Sequence, residues 1–110
     1  MRREKKTKEE ECKILSKRNC QLNEFPTIKL HVLQKIQEID LSHNHIKDFN
    51  TMVPHGKTSQ FALKYLRKIN IAYNNICEVS LLVPLASAAS HLEEINISGN
   101  GLTGRLNFLF

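Results

Sequence analysis

The sequence has no tryptophan, and only two tyrosines and five phenylalanines among its 110 residues. A core built on large rings is therefore excluded, and the interior must be aliphatic. No run approaches the roughly 18 consecutive apolar residues that a membrane-spanning helix requires. The opening stretch, "MRREKKTKEEE", carries no apolar segment behind its basic residues, so an ordinary secretory leader is not expected within the chain. Cysteine is sparse, and the three present (Cys12, Cys20 and Cys77) cannot all pair. That favours thiols in a reducing compartment over disulfides, and the expected location is cytoplasmic or nuclear. On that reading the sequon Asn96-Ile97-Ser98 is incidental.

The chain is long enough for one small domain. Its net charge of +5 is unevenly placed. Residues 1–20 hold eight Lys/Arg against four Glu, whereas residues 21–110 hold eight Lys/Arg against seven Asp/Glu. The basic character thus belongs to an N-terminal arm, residues 1–11. With no apolar face to pin it, the arm is expected to be flexible. Its Arg2, Arg3, Lys5, Lys6 and Lys8 offer one route to nucleic acid or another acidic surface. The interspersed Glu4 and Glu9 to Glu11, and the lack of interleaved aromatics, weigh against that route.

What is present is a repeat. Aligned on an asparagine, "IQEIDLSHNHI" (Ile36 to Ile46), "LRKINIAYNNI" (Leu66 to Ile76) and "LEEINISGNGL" (Leu92 to Leu102) share one pattern of aliphatic spacing. All three fit L-x-x-L-x-L-x-x-N-x-L with Ile replacing Leu. A weaker copy, "CKILSKRNCQL", precedes them, with Cys12, Leu15, Cys20 and Leu22 in the corresponding slots and Lys17 where an aliphatic belongs. That first segment reads either as a terminal repeat or as a cap. The key positions Cys20, Asn44, Asn74 and Asn100 are separated by 24, 30 and 26 residues.

On these residues the chain resembles the leucine-rich-repeat family, whose repeats run about 20–29 residues. The resemblance implies an α/β solenoid of about four repeats over residues 12–110. A curved parallel sheet would line the inner side, with helical or irregular return segments outside. Cysteine at the asparagine position is a common alternative in that family. Strands are expected near 14–18, 38–42, 68–72 and 94–98. Alternation turns Ile39 and Leu41, Ile69 and Ile71, and Ile95 and Ile97 inward. Buried at a bend, the asparagine side chains (with Cys20 as the weakest rung) would bond backbone groups of their own and the next coil as a ladder. In the return segments, "NEFPTIKLHVLQK" is expected to hold a short turn of helix anchored by Phe25, Ile28, Leu30 and Leu33. A second helix is expected to enter near Ser59. A third lies in "EVSLLVPLASAASHL", with Pro84 in its first turn and Leu85, Ala88, Ala89 and Leu92 facing in. The apolar ending, with Leu106, Phe108 and Phe110, fits a longer repeat array or a partner covering the end.

No constellation for catalysis stands out. His43 and His45 have no third ligand near them in register, so no metal is expected. Cys12, Cys20 and Cys77 read as small buried hydrophobes, not nucleophiles. "HGKTS" at His55 to Ser59 lacks the first glycine and the preceding strand of a phosphate loop. The informative surface is the outward side of the strands. Register places Glu38, Lys68 and Glu94 in one column, with Ile14 at its end. Asp40, Asn70 and Asn96 form the next, with Ser16. Ser42, Ala72 and Ser98 follow, with Arg18; His43, Tyr73 and Gly99 come last, with Asn19. Tyr73 is the best anchor among them. The expected function is non-enzymatic: binding a partner protein on this concave face, as scaffold or regulatory subunit. No cofactor and no small-molecule substrate are implied. The alternatives are the basic arm docking on an acidic surface, and an N-terminal fragment of a larger repeat receptor or enzyme-bearing protein.

Overall fold

Alternation of apolar and polar residues makes short strands, and the recurrence of one pattern stacks them. The computed structural model describes residues 13–50 and 63–102. Four strands, β1 (Ile14–Ser16), β2 (Glu38–Asp40), β3 (Lys68–Asn70) and β4 (Glu94–Asn96), form one parallel sheet in chain order. Leu15, Ile39, Ile69 and Ile95 lie side by side, so the aliphatic slots of successive repeats share one level. This is the α/β solenoid architecture that the repeat implies.

The return segments follow their local chemistry. A single helical turn, α1 (Leu30–Leu33), lies between β1 and β2. Between β3 and β4 a 3-10 turn (Val79–Leu82) runs into α2 (Val83–Ala88), with Pro84 in the first turn, where it removes no helical hydrogen bond. The helix expected from Ser59 is not seen where it can be checked: residues 63–65 form a turn, and Ser59 itself lies outside the described residues.

One aliphatic core runs through the coils. Ile39, Leu41, Ile69 and Ile71 are buried, as are Ile46 and Ile76 at the end of each repeat. Ile95 and Ile97, in the last described coil, are half-buried against it. Phe25 and Phe49, from return segments, meet in this core at 6.2 Å between ring centroids. Leu82, Leu85, Ala88 and Ala89 bury the inner face of the 3-10 turn and α2, with Leu92 half-buried beside them. Each fully buried aliphatic of this size is worth roughly 1.5–3 kcal/mol.

Hydrogen bonds fix the register beyond the strands. In a parallel pair the Ser42, Ala72 and Ser98 N–H groups would donate to the Lys17, Leu41 and Ile71 carbonyls of the preceding strand. Instead they donate to the Oδ1 of Asp40, Asn70 and Asn96, two residues back, at 3.0, 3.0 and 3.1 Å. The strands therefore end at Asp40, Asn70 and Asn96, two residues sooner than the alternation suggests. The carbonyls so released accept from the ladder amides: Asn44 Nδ2 to Lys17, Asn74 Nδ2 to Leu41 and Asn100 Nδ2 to Ile71, each at 2.9 Å. Each Oδ1 in turn accepts backbone N–H groups of the coil before it. Asn44 takes Cys20 and Leu22, Asn74 takes Ile46, and Asn100 takes Asn74 and Ile76. The ladder thus reaches back to the preceding coil, not forward to the next as the sequence reading had it.

Cys20 is not a rung of equal kind. Its side chain is exposed, and its thiol donates only locally, to the Arg18 carbonyl. We expect Asn74→Leu to lower unfolding free energy by about 2–3 kcal/mol, because the buried Ile46 N–H is left without an acceptor. Cys20→Ala is expected to cost less than about 0.5 kcal/mol. Urea denaturation of both variants checks the order.

Candidate functional site

The outward side of the sheet carries the expected columns. Ile14, Glu38, Lys68 and Glu94 are paired partners across the four strands, and so are Ser16, Asp40, Asn70 and Asn96. All of these but Ser16 floor a groove of about 720 Å³, lined also by Glu93. The Lys68 ammonium sits between two carboxylates, 3.8 Å from Glu38 and 3.9 Å from Glu94. Both pairs are half in water and add little stability. Arg67 Nε donates to Glu93 at 2.9 Å on the exposed flank, and that carboxylate raises the guanidinium pKa further.

The second column is partly structural. Besides its backbone bond, Asp40 Oδ1 accepts the Ser42 hydroxyl at 2.6 Å, and Asn96 Oδ1 accepts the Ser98 hydroxyl at 2.7 Å. Burial pushes the Asp40 pKa up. The Ser42 hydroxyl and N–H bonds, with Arg18 and His43 nearby, outweigh that and leave it below the ordinary aspartate value. The group stays ionised at neutral pH.

The last column holds the site's aromatic surface. His43 and Tyr73 both take the left-handed conformation, with φ of 58° and 57°, as does Gly99 at 74°. Adjacent strands lie roughly 4.8 Å apart, so identical backbone turns stack the two rings. Their centroids are 4.7 Å apart and their planes 13° from parallel. On the other side the Tyr73 ring leans over Gly99. A Cβ there would fall 2.4 Å from Tyr73 Cδ1, so any other residue would displace the ring and be strained at this φ. Tyr73 is thus held from both sides, yet 55% of its surface is open to solvent.

Two family models, each described as Leucine Rich Repeat, match residues 32–48 and 91–110. The first spans the Asn44 repeat and the second the Asn100 repeat. With the parallel ladder between them, that decides the family. The chain is a leucine-rich-repeat protein. No curated protein matches it. Leucine-rich-repeat domains commonly mediate protein–protein interaction and are typically non-enzymatic.

Several expectations change on these repeats. Ser42 was expected on the binding face but is buried, with 2% of its surface exposed, because the side-chain turn at Asp40 draws it inward. Ala72 is buried in the same way. Cys20 and Cys77 were expected to be buried but are exposed. Cys20 lies on the first of the described coils, and Cys77 alternates outward after the inward Ile76. Cys12 and the basic arm lie outside the described residues. His43, expected in the last column, stacks on Tyr73 there. The Asp/Asn-x-Ser/Ala recurrence that marks the side-chain turns is legible in the sequence, where the same residues read as columns of the binding face. No helix among the described residues is long and apolar enough to cross a membrane.

The depressed Asp40 pKa sets a sign. Its contribution to stability is complete above the unfolded pKa and is lost as pH falls through the folded value. Asp40→Asn keeps the acceptor, as Asn70 and Asn96 do, but removes the charge. The Tm difference between wild type and Asp40→Asn is therefore expected to shrink as pH drops below about 4. Thermal melts at a series of pH values measure it.

Proposed function

We propose that the chain is a non-enzymatic interaction module that holds a partner protein against its concave sheet face, as scaffold or regulatory subunit. The observation that carries this reading is the Tyr73 ring, clamped between the His43 imidazole and the Gly99 backbone while still open to solvent. A large apolar group that is already rigid loses little entropy on binding, which is what makes tyrosine an effective anchor. The groove beside it gives a partner concave surface bounded by Glu38, Lys68 and Glu94. Asn70 and Asn96 belong to its floor, with their Oδ1 atoms engaged by Ala72 and Ser98.

Because Asp40 holds the fold at its turn, a clean test spares it. We expect Tyr73→Ala combined with Glu94→Ala to weaken a captured partner at least tenfold. The fold should be retained, as judged by an unchanged far-UV circular dichroism spectrum. Lys29→Ala, on a return segment, should leave affinity unaltered. Equal affinity of the double variant and wild type for the partner refutes the concave face as the site.

A further inference from the structure

The sign of charge on the concave sheet face is opposite to that of the chain. Glu38, Asp40, Glu93 and Glu94 line the groove with a single cation, Lys68, giving a net of −3 on a chain of net +5. Counting also the Arg67 guanidinium bound to Glu93 and the Arg18 guanidinium near Asp40, carboxylates still exceed cations by one among the described residues. We infer that this face takes an arginine- or lysine-bearing extended segment of the partner protein. The inference rests on the reading of this face as the partner site and adds the chemistry of the occupant.

Three features of the geometry carry it. Glu38 and Glu94 occupy the same level two strands apart, which in a parallel sheet is roughly 10 Å. An extended chain crossing the strands at that level turns every second side chain to the face, roughly 6.6 Å apart, so the long side chains of cations two or four residues apart can reach both carboxylates. Lys68, between them, is more than 3.5 Å from either, so its ion pairs are loose and both carboxylates keep open acceptor sites. At the rim the His43–Tyr73 stack offers an aromatic ledge near Asp40, and such a ledge suits a guanidinium plane, as the neighbouring Arg18 of the chain itself illustrates for the carboxylate. The same charges repel phosphates, so this face disfavours nucleic acid.

The test is fluorescence anisotropy with three labelled decapeptides, alternating Gly-Arg, Gly-Glu and Gly-Ser, on the full chain at low salt. The Gly-Arg probe should bind at least tenfold more tightly than Gly-Ser and weaken as salt is raised. Glu38→Gln with Glu94→Gln should weaken it at least fivefold, and Lys68→Gln should strengthen it. All of these side chains are solvated charges, so the circular dichroism spectrum should not change. Gly-Arg binding that ignores the double Gln variant overturns the inference, as does Gly-Glu binding that is as tight or tighter. Either result combined with a captured partner that still depends on Tyr73 removes only the cationic occupant. If that partner also ignores Tyr73→Ala with Glu94→Ala, the face itself is refuted.

Discussion

The structure depends on who receives three backbone N–H groups. A regular parallel ladder would spend Ser42, Ala72 and Ser98 N–H on the carbonyls of the preceding strand. Asp40, Asn70 and Asn96 intercept them, and the released carbonyls then accept the amides of Asn44, Asn74 and Asn100. The two polar columns are therefore one device. The outer one ends each strand, and the inner one ties each coil to the coil before it. Neither works alone: without the outer column the inner amides would compete with the ladder for the same carbonyls. No buried side-chain polar atom among the described residues is left without a partner.

That device also shapes the surface. Ending the strands at Asp40, Asn70 and Asn96 turns the next residues inward, which removes Ser42 and Ala72 from the face. The chain then passes through the left-handed conformation at His43, Tyr73 and Gly99. Tyrosine and histidine are costly there, by roughly 1–2 kcal/mol each. The cost is offset within the repeat, where the following asparagine is bonded to both coils and the two rings stack. What is presented outward is consequently a short groove of charged side chains with an aromatic ledge at its rim.

Much of this was legible in the residues. The five recurring positions fix the strand order, the register and the inward aliphatics, because side chains of period two on stacked coils have no other consistent placement. The columns of Glu38, Lys68 and Glu94 and of Asp40, Asn70 and Asn96 follow from the same alignment. The return segments were less legible: Val32 and Phe49 enter the core from stretches with no repeating spacing to mark them. The thiols were misread for a physical reason. A slot in a repeat is buried only if a neighbouring coil covers it, and Cys20 lies on the first of the described coils. The direction of the ladder could not be read from composition, since an amide at a bend can reach either way.

Amide hydrogen exchange by NMR tests the central claim most directly, at the N–H groups of Ile46 and Ile76. Both donate to asparagine side chains, Asn74 and Asn100, and to no strand partner. If those side chains hold the coils together, these two amides exchange only through global unfolding, as slowly as the Ile39 and Ile69 amides of the sheet. Exchange at the rate of solvated loop amides would contradict the account.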